Sequence, residues 1–277
     1  PDYIRRFHEM VDELRRRPDI ALARVHVAPP VSEEAIERVH AKLGFAIADR
    51  ILGFYRQANG LSLEWVPREH SAFDPASHGV ERDDPFDMVP QDVLGGVINI
   101  YPFESLLDDY EDLLWFQSMA GQTIEIDGKT HDLLELSRSI RPFDYYSEES
   151  MAAFVLHERA SDPPVRIGDD HGASFTRFPP TDFETYMEGM LALRGSGVFR
   201  ERFFCRGDGS PPGTPETWRE VGPSLDELVR ASLERDASAT EGDDDFDGDE
   251  LDEELNGDTG EIELLDSDDD FDDDSDD

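Results

Sequence analysis

Apolar residues recur along this chain at two different periods, and the places where the period switches divide it into elements. Ile4, Phe7, Val11 and Leu14 follow one another at spacings of three and four, with Arg5, Arg6, Glu9, Asp12 and Glu13 between them. This pattern predicts an amphipathic helix, stopped by Pro18. Residues 22–27 alternate apolar with other residues, as a short strand does, and Pro29-Pro30 breaks the chain. A helical pair comes next. Ser32 is placed to cap its first member, Glu33 and Glu34 sit where the helix dipole favours negative charge, and Gly44 is a natural C-terminal cap. Ile36, Val39 and Leu43 make one apolar face; Ile47, Ile51, Phe54, Tyr55 and Ala58 make a second. That second stripe closes on Asn59-Gly60, two residues suited to positive φ. The period then drops to two through Leu61-Ser62-Leu63-Glu64-Trp65-Val66, a predicted strand.

Residues 67–95 are rich in Pro, Asp, His and Gly without periodicity and read as a long excursion. Residues 97–100 form a predicted strand, and 103–116 look partly helical. Residues 122–134 carry a hairpin signal centred on Asp127-Gly128. Strand-like runs recur at 153–157, 165–167 and 174–178. Thr181-Asp182-Phe183-Glu184 has the form of a capping box, opening a helix with Phe183, Met187, Met190 and Leu191 on one side and Gly195 at its end. After a short amphipathic run at 200–204 and a Gly/Pro-rich stretch, residues 224–233 predict a last helix. Helices cluster around a run of strands, and no repeat of 20–50 residues is present. The predicted class is α+β, helices on a mainly antiparallel or mixed sheet, rather than alternating βαβ.

Charge changes this picture at the C-terminus. The 277 residues carry a formal net charge of −41; the last 37 contain 22 Asp or Glu and no Lys or Arg, leaving −19 for residues 1–240. Residues 237–277 have few apolar groups, among them Phe246, Leu251, Leu255 and Phe271, so this tail is expected to be disordered. Residues 1–236 are expected to form one domain, since a chain of that size buries roughly three quarters of its extended surface in a single core. So anionic a molecule repels phosphate backbones and acidic lipid headgroups, which argues against direct nucleic-acid or membrane binding and for a basic protein partner. Cys205 is the only cysteine, no apolar run reaches the ~18 residues of a membrane span, and the opening Pro1–Arg6 lacks a signal-peptide core. The expected compartment is the cytoplasm.

Catalytic motifs are sparse. The sequence contains no Gly-rich phosphate loop, G-x-S-x-G, H-E-x-x-H or CxxC. Asp243, Asp245, Asp247, Gly248 and Glu254 match a calcium-loop spacing, but Glu250 stands at the usually apolar eighth position in a tail where acidic matches arise by chance. His70, His78, Asp74, Asp83 and Asp84 lack the spacing that puts two ligands on one helical turn. Asp169-Asp170-His171-Gly172 reads as a turn. Cys205 lies near Arg202 and Arg206 but has no paired His. No catalytic, cofactor or metal site is expected. The candidate partner-binding residues are Trp65 with Glu64 and Trp115 with Asp112, aromatics beside acid that suit an incoming Arg or Lys. Asp169, Asp170 and the tail residues Phe246 and Phe271 complete the set.

The order of elements resembles that of the SUKH superfamily, which includes fungal cell-wall assembly regulators and many bacterial immunity proteins. The resemblance is carried by the helix 31–43, the stripe 47–58 running into Asn59-Gly60 and Leu61, the strand 97–100 leading to Pro102-Phe103, and Arg141-Pro142-Phe143-Asp144. Asp169-Asp170-His171 fits the family's late acidic turn, and Thr181–Tyr186 through Gly195 its closing helix, so the similarity spans roughly residues 30–195. The Pro that the family often places before its second helix is replaced by Ala46-Ile47-Ala48, and the excursion at 67–95 is long. The resemblance implies a non-catalytic protein-binding domain: an immunity protein that neutralises a toxin stoichiometrically, many such toxins being nucleases with basic grooves. The alternative it implies is a regulatory adaptor whose acidic tail recruits basic proteins.

Overall fold

A computed structural model describes residues 1–71, 73–75, 84–86, 95–107, 121, 123–126, 129–147, 150–156, 161–169, 180–197, 200 and 222–242. The chain divides into two units, Pro1–Ala239 and Thr240–Asp277. The hairpin turn Asp127-Gly128, the run 174–178, Cys205 and the 243–254 spacing lie outside the described residues.

The first unit is α+β, and every strand pairing described in it is antiparallel. Helix α1 (Tyr3–Arg15) leads into strand β1 (Ile20–Val27), then helices α2 (Glu33–Leu43) and α3 (Asp49–Tyr55) precede β2 (Leu61–Pro67). Strand β3 (Gly96–Ile100) is followed by a 3-10 turn at Phe103–Leu107, a separate hairpin β4 (Thr123–Ile126) and β5 (Lys129–Asp132), and the short helix α4 (Leu133–Ser137). Strands β6 (Ile140–Tyr145), β7 (Ser150–Val155) and β8 (Val165–Asp169), then helices α5 (Phe183–Leu193) and α6 (Leu225–Gly242), complete the order. The main sheet runs β1-β2-β3-β6-β7-β8.

Local chemistry sets many of these boundaries as the sequence predicts. Ser32 Oγ accepts from Ala35 N, and Gly44 ends α2 at φ 79°. Gly60 enters β2 at φ 102°, where a side chain would meet Ile100 O at 2.7 Å, so the position needs glycine for both conformation and space. Asn59 does more than turn the chain: its Oδ1 accepts from Phe103 N at 2.7 Å and its Nδ2 donates to Glu104 at 2.9 Å. It thereby fastens the entry of β2 to the exit of β3.

Four boundaries differ from expectation. The second helix of the pair is only Asp49–Tyr55, because Ala48 is extended and offers no side-chain cap; Ile47 and Ala58 are buried beyond its ends. The N-cap of α5 is Asp182 rather than Thr181, and it accepts from Thr185 N. The hairpin stops at Asp132 because that carboxylate caps α4 through Glu135 N at 3.0 Å. Helix α6 continues to Gly242, past the expected domain end at 236. Ser224 and Glu227 form a reciprocal capping box at its start, Glu227 accepting from Ser224 N at 2.7 Å and Ser224 from Glu227 N at 3.3 Å, a signal legible in the sequence that the reading overlooked.

One face of the sheet packs the main core. Leu61, Leu63, Trp65, Ile98 and Ile100 meet Phe7, Val11 and Leu14 of α1, Ile36 and Val39 of α2, Phe54 of α3, and Phe183, Tyr186 and Met190 of α5. Phe143 stacks on Phe154 with ring centroids 4.3 Å apart. On the opposite face, Ile140, Met151, Ala153 and Val155 form a smaller cluster with Leu136 of α4. Gly53, inside α3, has nothing within 4 Å of where a methyl would sit. Gly53→Ala is therefore expected to raise stability by about 0.5–1 kcal/mol in denaturant titration, through helix propensity and reduced freedom of the unfolded chain.

Candidate functional site

The middle of the sheet is held by side chains rather than by a complete ladder. Strand β3 pairs with β2 along its length, but with β6 only at Ile100 and Asp144. Along the β6 side, Tyr101 N donates to Phe143 O at 2.8 Å, Asn99 N to Asp144 Oδ1 at 2.8 Å, and Val97 N to Gly195 O at 2.9 Å. Val97 O accepts from the Arg200 guanidinium at 2.6 Å. Asp144 and Arg200 thus supply two bonds that a neighbouring strand would ordinarily make.

Both side chains are completely buried, 3.5 Å apart. Tyr186 donates to Asp144 at 2.6 Å, and Arg200 lies over the Tyr146 ring at 3.7 Å. Burial alone would lower the Arg200 guanidinium, but Tyr186, Asp144 and Tyr146 outweigh it and hold it charged above its ordinary value. Burial raises the Tyr186 hydroxyl well above the ordinary tyrosine range, Arg200 opposing and Asp144 adding to the shift. That hydroxyl stays protonated and acts as a donor. The cluster is a structural bracket.

The expected anchors Glu64 and Trp65 are corrected by the structure. Trp65 is 0 % and Glu64 2 % exposed, so neither is presented to a partner. Trp65 belongs to the core face, where its indole Nε1 donates to Arg194 O at 2.7 Å and ties β2 to the end of α5. Glu64 points to the other face, 3.9 Å from Arg24. The Pro85–Phe86 segment covers that region: Pro85 O accepts from Arg24 at 3.1 Å and Phe86 O from Asn99 Nδ2 at 3.1 Å. Period-two alternation assigns the faces but carries no sign that a distant segment buries the polar one. Asp169 is the last residue of β8, paired with Ser150. Asp112, Trp115, Asp170, Phe246 and Phe271 lie outside the described residues.

Helix α6 is latched to the loop after β2. Asp236 accepts from Ser71 N at 2.9 Å and Ser71 Oγ at 2.5 Å, with His70 Nδ1 3.7 Å away. The three residue types suggest a hydrolytic triad, but the serine hydroxyl donates to the carboxylate, whereas in a triad it donates to the imidazole and the carboxylate orients the ring from the far side. Burial lowers the His70 pKa, only partly offset by Asp236, which favours the neutral ring.

A groove of about 440 Å³ opens on the helical side, along the seam of α1 and α5 and against residues 222–224. Arg6, Glu9, Met10 and Glu13 recur at three and four and form one stripe of α1 lining it. Arg6 pairs with the buried Glu188 of α5 at one end. At the other, Glu13 receives three hydrogen bonds of 2.9–3.1 Å from Arg194. Met10, Leu191 and Ala192 lie in the lining between these pairs. Arg194 itself adopts φ 53°, a left-handed conformation rare for a side-chain-bearing residue; its guanidinium bonds and its carbonyl bond to Trp65 hold it there. The sequence reading used only the apolar stripe of α1 and missed this polar one. Its signal was the same periodicity, offset around the helix.

Sheet order and groove together define an α+β domain with a six-stranded antiparallel sheet covered by helices on its core face. Among the described residues no helix is long and apolar enough to cross a membrane, and no group of three or more His, Cys, Asp or Glu is placed to hold a metal ion. The chain matches no model of a known protein family and no curated protein.

Proposed function

We propose that this chain is a SUKH-type protein-binding domain that acts by stoichiometric association with a basic partner in the cytoplasm, without making or breaking covalent bonds. The favoured form of this reading is an immunity protein occupying the cationic groove of a toxin such as a nuclease. The observation that carries this reading is the net charge of −41, more than half of it in the last 37 residues. Such a field attracts a cationic surface from a distance, accelerates encounter and resists polyanions. The order helix pair, Asn59-Gly60, β2, antiparallel sheet and closing helix α5 supports the family resemblance.

A regulatory adaptor is the second reading, favoured by the spacing of Phe246, Leu251, Leu255 and Phe271 within the acidic tail, since solubility alone does not require apolar residues there. Affinity capture with the full chain from cells of its own source separates the two. An immunity protein retains one dominant basic protein encoded beside it, in a one-to-one complex. An adaptor retains several unrelated ones. Recovery of neither contradicts both readings.

A further inference from the structure

We propose that the α1–α5 groove docks a basic side chain of the partner, an Arg or Lys flanked by apolar residues. This inference rests on the reading of the chain as a binder of basic proteins and specifies where one contact is made.

The charges in the lining, Arg6 and Arg194 against Glu9 and Glu13, balance formally, and the buried Glu188 behind Arg6 tips the sum negative. Arg6 is committed to Glu188 and Arg194 to Glu13, which leaves Glu9. Glu9 is 61 % exposed, and among the described residues its ion-pair partner is Arg5, itself 60 % exposed and shared with Asp2. An ion pair between two such exposed side chains is worth little and exchanges readily. Glu13 is 42 % exposed, and a carboxylate has about four acceptor positions, so three bonds from Arg194 leave capacity for another donor.

Neither helix end decides the sign. The last carbonyls of α5 are already taken, Leu191 O by Arg194 N, Ala192 O by the Arg194 guanidinium at 2.8 Å, Leu193 O by Ser196 N at 3.0 Å and Arg194 O by Trp65 Nε1 at 2.7 Å. The N-terminus of α6 would favour an anion, but Asp226 and Glu227 in its first turn already answer that dipole. Glu227 also takes the Ser224 N–H. What remains is acceptor capacity beside an apolar lining of Met10, Leu191, Ala192 and Pro223. This combination fits the amphipathic arginine or lysine side chain, whose methylene stem covers apolar surface while its head meets carboxylates. An acidic or purely apolar ligand satisfies only part of the groove.

Methyl-labelled methionine NMR on the full chain tests this, with the acetylated and amidated peptide Leu-Arg-Leu-Arg-Leu as probe and Leu-Glu-Leu-Glu-Leu as control. Met10 lines the groove, whereas Met151 is buried on the far face of the sheet. The expected result is a saturable shift of the Met10 methyl with the basic peptide, none at Met151, and none with the acidic peptide. Glu9→Gln, an exposed and helix-compatible change, is expected to weaken that titration at least threefold. A stationary Met10 signal while calorimetry still records uptake of the basic peptide overturns the groove and leaves a basic partner for the chain as a whole. A Met10 shift unchanged by Glu9→Gln, or equal for the two peptides, overturns the assigned chemistry. No uptake of the basic peptide by any part of the chain counts against both the groove and the wider reading.

Discussion

Arg200→Met is expected to lower the stability of the first unit by about 3–5 kcal/mol, measured by urea titration followed by tryptophan fluorescence. Removing the guanidinium leaves Asp144 fully buried without its ion pair, and leaves Val97 O without its donor. The cost of an uncompensated buried charge exceeds the loss of packing. Asp144→Asn combined with Arg200→Met is expected to be more stable than Arg200→Met alone, because the neutral amide oxygen still accepts from Asn99 N or Tyr186 without stranding a charge. If the single variant loses less than about 1 kcal/mol, the bracket does not hold the join between β3 and β6.

Gly96→Ala is the second large effect, expected to cost about 3 kcal/mol despite adding only one methyl group. That methyl would press on Trp65 Nε1 and Arg194 O and lie 2.6 Å from Trp65 Cε2. The indole cannot retreat without losing its bond to Arg194 O, and the Arg194 backbone is fixed by its own left-handed geometry. The contrast with Gly53→Ala, predicted to stabilise, makes the comparison independent of any general response to alanine. Similar midpoints for the two variants contradict the close packing of β3, Trp65 and the end of α5.

The parts of the fold legible in the sequence are those decided within a few residues. Ser32 and Gly44 cap α2, Gly60 turns into β2, and Asp127-Gly128 separates two runs that do pair as β4 and β5. What escaped is decided across the chain. Nothing near Arg200 announces that its partners are Asp144, Tyr146 and Val97. Trp65 beside Glu64 looks like an exposed anchor until the helices cover one face and the Pro85–Phe86 segment the other. The groove was half legible: the spacing of Arg6, Glu9, Met10 and Glu13 marks a common stripe, whereas the opposing Leu191, Ala192 and Arg194 come from the far end of the domain.

The central claim is that the chain works by presenting negative charge to a cationic protein. Stopped-flow association of the full chain with the dominant protein captured from its source cells, at 50 and 500 mM NaCl, tests it most directly. The predicted result is a one-to-one complex whose association rate falls by about tenfold or more at the higher salt, as screening shortens the reach of the field. An association rate unchanged by salt contradicts the claim.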